Sequence, residues 1–532
     1  MKTKELMKTI SLLLAGAMTV GMLAGCGQTE VKESVDKQPE STTEKEEVQV
    51  SESTDEVDES DIDISEPYTI DMYFQTWGAA VDDLEAVEEA MSKITKEKIN
   101  ADVVLHYVDQ WSTNIPLEFA AGSKIDYVIT SANLAPNYST MVGSGYLLPL
   151  NDLVEKYGQG LKEVLGDFLY GAQMNGDFYA VPVNKEKGNS YGGFCFNKNM
   201  VEELGLMEEV TAIKSYKDLE PIFEVVKSKM PEVVCLSLPS RANGYSRNQY
   251  VDVYGTELGG VMPIDTTDYK LVDLWTYEPY VEAVRWTHEM YKQGYVSEAV
   301  TTGDDNSYKT GNAFCFPEDL RIGKDEELTV SYGYEVMMVE VNEPYCQADQ
   351  AQGVMGGIGS TSENPERAMM FMNLLYTDAE LLNTFLYGVE GQHYEKVSTA
   401  TDSLGNEITY IKYPEGVDSK TVGWANQGWA FGNRFLNYLM EGKNVEEWAN
   451  YVKTNEQIKT SSTFGFAFDQ SPVATEIAAC KTVVKKYDLM NYGALDPDEV
   501  IPQMMEELDT AGYQKIKEEK QRQIDEWIAA NK

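Results

Sequence analysis

Histidine is scarce in this 532-residue chain: His106, His288 and His393 are the only three. The one His-Glu pair, His288-Glu289, runs into Met-Tyr-Lys, so a helix with two zinc-binding histidines four residues apart is missing. No Gly-x-x-x-x-Gly-Lys loop is present to cradle phosphates. Positive charge is also short, with 43 Lys and Arg against 88 Asp and Glu and a formal charge of −45. Such an excess repels phosphate backbones and anionic headgroups, which excludes nucleic acid and an anionic lipid surface as electrostatic partners. Cysteine gives no framework either. Beside Cys26 there are Cys195, Cys235, Cys315, Cys346 and Cys480, an odd number with no Cys-x-x-Cys pair, and they read as small buried hydrophobes. Beyond the first 25 residues nothing approaches the roughly 18 apolar residues that cross a bilayer.

What is present begins at the N-terminus. Lys2, Lys4 and Lys8 precede an apolar stretch, Ile10 to Met22, that closes on Leu23-Ala24-Gly25-Cys26. A basic head, a short apolar core and small residues at the cut are a secretory signal, and the cysteine after them is the bacterial lipobox pattern. Residues 1–25 are therefore expected to be removed and Cys26 to carry lipid, which would hold the protein on a membrane. From Glu30 to Glu66 there are 15 acidic and 3 basic residues among Ser, Thr, Val and Gln. Too little apolar surface is on offer there to offset the ordering cost, so residues 26–66 read as a disordered acidic tether.

The body from Pro67 has length for two or three domains. Pro67 to Phe74 alternates as a strand, Val81 to Ile99 has helical spacing, and Ala101–Val108, Trp111–Ala121 and Ile125–Thr130 continue strand, helix, strand. That alternation reads as a parallel α/β sheet. The C-terminus reads as helix from Val473 to Tyr487 and from Pro497 to Ala530.

Ligands of open α/β sheets bind beyond the carboxyl ends of the strands. Trp77 follows the first strand, Asp109 and Trp111 the second, and Asn133 the third. Each also has a plainer reading: a tryptophan wedged under a helix, or a polar helix cap. Gly423-Trp424-Ala425-Asn426-Gln427-Gly428-Trp429, with Asn433 beyond it, offers either an aromatic platform or a plug that packs a hinge. Tyr245 and Arg247 lie in a polar loop after the apparent strand Val233–Leu238. Aromatic faces beside planar polar groups suit sugars, whose C–H patches stack while their hydroxyls need partners. Two opposed carboxylates would suffice for a glycoside hydrolase or lyase, and an acidic chain leaves that alternative open. Asp304-Asp305-Asn306 and Asp402-Ser403-Leu404-Gly405-Asn406 do not fit a calcium loop and read as turns. Neither a cofactor nor a metal is called for.

A resemblance sharpens this reading. FAAGSKIDYVITSAN, GSGYLLPLNDLVEKYG, MNGDFYAVPVN, FCFNKNMVEELGL, YVEAVRWTHEMYKQGYVSE and STSENPERAMMFMNLLYTDAEL follow one another between Phe119 and Leu381. The succession resembles the type-1 extracellular solute-binding proteins, carbohydrate-type receptors of ABC importers. GVEGQHYEKV and FGFAFDQSPVATEIAA in the tail are similar to a large lipoprotein branch in Firmicutes. The resemblance implies a two-lobed periplasmic-binding-protein-like (type II) α/β fold with hinge crossovers and a helical C-terminal region. Residues 67–182 and 337–400 would form lobe 1, and residues 183–336 and 401–532 lobe 2. Crossovers are expected near Tyr179–Val183, Met337–Gly353 and Ala400–Gly423. It further implies a non-enzymatic monomer outside the cell that takes a small ligand, an oligosaccharide before peptides or other solutes, and docks on permease subunits.

Overall fold

The computed structural model describes residues 63–531 apart from Ala79, Asn175, residues 239–250, Asp265 and Asp304. The signal, Cys26, the tether as far as residue 62, Tyr245 and Arg247 lie outside the described residues.

β1 (Tyr68–Phe74) buries Ile70, Met72 and Phe74 on one face, and towards its end Tyr73 on the other is buried as well. A helix, Leu84–Ile99, turns Val87, Met91 and Thr95 inward and stops at Asn100, whose left-handed φ of 47° lets its N–H reach the Lys96 carbonyl. β2 (Ala101–Tyr107), a helix at Trp111–Ala121 and β3 (Tyr127–Thr130) follow. β1 pairs in parallel with both β2 and β3, so the loops after all three leave one edge of the sheet.

From β4 (Val181–Pro182) the chain crosses to a second sheet. That sheet holds β5 (Ser190–Asn197), β6 (Val234–Leu236), β7 (Ala313–Leu320) and β8 (Val336–Val339) in the order β8-β5-β7-β6. The chain returns through β9 (Tyr345–Cys346) to β10 (Met355–Gly357), which enters antiparallel between β3 and β4. Gly356 permits this entry, because a Cβ there would lie 2.5 Å from the Tyr127 ring. The first sheet thus runs β2-β1-β3-β10-β4 and is packed by helices at Pro365–Thr377 and Ala379–Tyr387.

The third crossing differs from the sequence expectation. Residues 400–423 do not bridge the lobes: they hold most of a hairpin of β11 (Glu395–Thr401) and β12 (Glu407–Lys412). Asp402 makes its turn by accepting the N–H groups of Leu404 and Asn406 at 2.9 and 2.8 Å. The chain then re-enters the first-lobe core with Trp424, Ala430 and Phe431, so the assignment of residues 401–532 to lobe 2 is corrected for that stretch. Large aromatic side chains go where a core can bury them, and the first lobe supplies it. The crossing runs instead from Gly432 through β13 (Leu439–Met440) and a helix at Glu447–Gln457 to β14 (Lys459–Thr460), parallel to β9.

After β14, Phe466 to Ile524 share one apolar cluster with residues 254–284 of the second lobe. The expected helix at 497–530 is two helices, Pro497–Ala511 and Tyr513–Asn531, parted by Gly512 at φ 101°. Among the described residues no helix is long and apolar enough to cross a membrane. The described cysteines Cys195, Cys235, Cys315, Cys346 and Cys480 are free and buried.

Candidate functional site: the cleft between the lobes

One wall of the cleft grows from the carboxyl edge of the first sheet. β1 runs into Gln75-Thr76-Trp77, and Trp77 adopts φ 50°, a conformation costly for a bulky residue. Its indole ring is half-buried and lies 4.9 Å from that of Trp429, with Phe431 behind at 6.3 Å. Trp429 donates Nε1–H to Gln427 at 3.2 Å, and the Lys185 ammonium sits 5.9 Å from its ring centre. Trp429 reaches Trp77 because the segment carrying it is stitched down upstream. Asp82 and Asp83 donate their N–H groups to the Gly423 carbonyl, and Ala425 donates to Ala80. His393 completes the tie. Buried, it accepts the Val389 N–H on Nδ1 and meets the Asp83 carboxylate at 3.0 Å through Nε2, which fixes the Nε2–H tautomer.

The hinge lies beneath. Asn184 donates N–H to Gly432 and accepts from Arg434, both at 2.9 Å, while its side chain donates to Asn433 at 2.9 Å. Glu186 bonds Arg434 at 2.7 Å and faces Arg321 at 3.5 Å and Lys185 at 3.9 Å. Burial raises the Glu186 carboxyl, but the three cations outweigh it and hold the group below its ordinary value. Burial likewise lowers the Lys185 ammonium against the pull of Glu186.

The second lobe contributes a loop. Beside the hinge a polar cavity of about 330 Å³ has Asn133 on the first-lobe side and Val253, Thr256, Glu257 and Asp319 on the other. Asn189, Gln347 and Asp349 of the hinge also line it. Asp349 accepts the Gly255 N–H at 2.8 Å, and its carboxyl is raised by burial. Next to it, Asp252 is pushed up to about 7 by burial and by Asp349, although Ser461 and the Ala348 N–H donate to it.

The structure thus brings Trp77 and Trp429 together and puts Asn133 on the cavity. Other sequence candidates fall elsewhere. Trp111 is 4 % exposed and packs in the first-lobe core, and Asp109, exposed, holds the Asn114 side chain at 3.0 Å. Trp424 is corrected from platform to plug: it is wholly buried against Phe74 and Phe385 and donates to the Phe385 carbonyl at 2.8 Å. Asn433 is corrected in the same way, because its amide is spent within the hinge on Asn184, Tyr376 and Phe435. Sequence reasoning missed Lys185, Asn189, Asp319, Asp349 and the Val253–Glu257 loop. Tyr254-Gly255, followed by Gly259-Gly260, was the available signal for the last. It also passed over Gly188-Asn189-Ser190-Tyr191-Gly192, which spells a nucleophile elbow. Ser190 opens β5 fully buried with its hydroxyl donated to the Asn342 carbonyl, and no strand-to-helix elbow presents it.

Two lobes, three crossings and an aromatic-plus-polar cleft agree with a match to the family profile of bacterial extracellular solute-binding proteins over residues 89–388. The chain belongs to that family. A second profile, a domain of unknown function (DUF3502), matches residues 462–529. A carbohydrate ABC transporter substrate-binding protein of Streptococcus pneumoniae serotype 4 (strain ATCC BAA-334 / TIGR4) is 28% identical over 86% of this chain and 90% of its own length. Among solved structures, the N-glycan transport solute binding protein (NgtS) from Streptococcus pneumoniae matches with TM-score 0.75 and 25% identity, over 88% of this chain and 100% of that one. Its complex with Man5GlcNAc matches with TM-score 0.65 at the same identity, over 88% of this chain and 100% of that one.

Proposed function

We propose that this family member is the lipid-anchored receptor of an ABC-type importer, binding an oligosaccharide between its lobes and closing on it. The observation that carries the sugar is the half-buried Trp77–Trp429 pair, 4.9 Å apart, at the sheet edge from which Asn133 also projects. Two indole faces can stack on sugar C–H patches, and the amides and carboxylates around the cavity can take the hydroxyls. A ligand touching both walls favours the closed state by its differential affinity for it. No bond is made or broken in this role. Titration calorimetry with Man5GlcNAc and with shorter neutral oligosaccharides should give saturable binding without turnover. Saturating ligand should also reduce the radius of gyration in small-angle scattering. Cleavage of the glycan, or binding with no contraction, counts against the proposal. Anchoring at Cys26 is tested by palmitate labelling, which Cys26→Ser should abolish.

A further inference from the structure

Lys520 lies on the Tyr513–Asn531 helix and is wholly buried, yet none of its hydrogen bonds goes to a carboxylate. Its ammonium donates to the carbonyls of Thr256 at 2.7 Å, Gly260 at 2.8 Å and Val253 at 3.0 Å, with Leu258 at 3.5 Å. Three short contacts use all three N–H donors. The rings of Phe468 and Tyr254 flank it at 5.4 and 5.6 Å. A cation left without partners in such a place would be severely unfavourable, so the converging carbonyls, arranged as they would be around a metal ion, are what make it tolerable.

The loop could not point its carbonyls this way in ordinary conformations. Tyr254, Gly255, Gly259 and Gly260 have φ of 51°, 75°, 76° and 97°. At Gly259 the helix passes so close that a Cβ would lie 2.8 Å from the backbone of Ile516 and Lys517. The same short segment lines the cleft: Val253, Gly255, Thr256 and Glu257 border the polar cavity. One side of this backbone holds the ammonium, and the other faces the ligand space.

We infer that Lys520 is a positioning residue for ligand. It acts as a built-in cation through which the C-terminal region matched by the domain of unknown function holds the second-lobe wall of the cleft in shape. The inference rests on the proposal that the interlobe cleft is the ligand site. Burial lowers the Lys520 pKa to about 7, against the opposing pull of Glu257 and Asp349, the charged groups that face it. The folded chain therefore releases this proton near pH 7 and the unfolded chain keeps it to 10.5, so stability should rise with pH between those values.

The test uses the full chain with Lys520→Met, which keeps the stem and removes charge and donors. Losing these hydrogen bonds should cut amide protection across residues 253–260 about tenfold or more, while β7 stays protected. Affinity for Man5GlcNAc should fall about tenfold, and the alkaline rise in stability should vanish. Lys520→Gln, neutral but still a donor of two hydrogen bonds, should restore part of the protection without the pH dependence. Unchanged protection at 253–260 in Lys520→Met overturns the inference, and so does a uniform loss that includes β7. Should neither variant fold, the wild type decides: free exchange at 253–260, as fast as in the exposed turn at 415–421, overturns it. A wild type that ignores Man5GlcNAc defeats the proposed ligand but leaves the exchange result to judge the wall.

Discussion

The two walls of the cleft are built in different ways. The first-lobe wall is aromatic: Trp77 sits three residues beyond its strand, and Trp429 is brought against it by backbone pairing between residues 80–83 and 423–425. The second-lobe wall is polar, and its shape comes from four left-handed residues and a lysine 260 positions away from Gly260 in sequence. An aromatic wall contributes contact area wherever a ring can lie flat. A polar wall contributes only if each donor and acceptor is held in place, and that explains why the second wall needs a buried cation, Asp349 and Asp252 behind it.

Four measurements would break or sharpen this contrast, and the largest effect concerns a residue behind the first wall. Trp424→Ala empties a site with no exposed surface, so denaturant titration should show a loss of about 3–5 kcal/mol of stability, while the folded fraction keeps its affinity. Trp77→Ala and Trp429→Ala should do the reverse. Lost stacking of about 0.5–1.5 kcal/mol plus lost apolar area amounts to roughly a hundredfold in Kd, with a modest effect on stability. If calorimetry on these two variants returns wild-type Kd, the aromatic wall is not the sugar platform.

The third measurement probes the ground beneath the second wall. Asp252, pushed up to about 7, holds its proton in the folded state over a range where the unfolded carboxyl, with its ordinary value of 3.8, has lost it. Its contribution is thus complete below about pH 4 and is lost as pH rises towards 7, with a slope of at most about 1.4 kcal/mol per pH unit. Asp252→Asn, always neutral, should flatten the stability profile across that window. A profile that stays as steep would place the titration on Asp349 instead.

How much of this could be read in the chain follows the same divide. β1 and the helix after it were legible because their periodicities are local, β3 because it is a short apolar run, and the loop after β1 followed from the rule for strand ends. Trp429 and Trp424 could not be told apart: they share a glycine-bounded run, and only the positions of Phe74 and Phe385 make one a plug. The Lys520 cage was out of reach, since its carbonyls have no sequence signature and the lysine reads as one polar position of an exposed helix. The hairpin at 395–412 escaped for a related reason: β11 is exposed along almost its whole length, so its residues show no alternation.

The smallest effect belongs to Asn133, and it is the most direct check that the walls work together. Its amide is exposed at the carboxyl end of β3, and its own N–H is already held by the Ser131 hydroxyl at 3.0 Å. The loop should therefore keep its shape in Asn133→Ala, and melting should not change. Across the cavity stand Thr256 and Glu257, on the wall braced by Lys520. A ligand hydroxyl bridging the two sides would lose one partner, worth about 0.5–1.5 kcal/mol, or roughly threefold to tenfold in Kd. If Lys520 fixes the partner group, the Asn133 effect should shrink in the Lys520→Met background, because a wall no longer held in place offers the bridge less often. The double-mutant cycle measures that coupling. Strict additivity of the two affinity losses would mean that the walls contact the ligand independently.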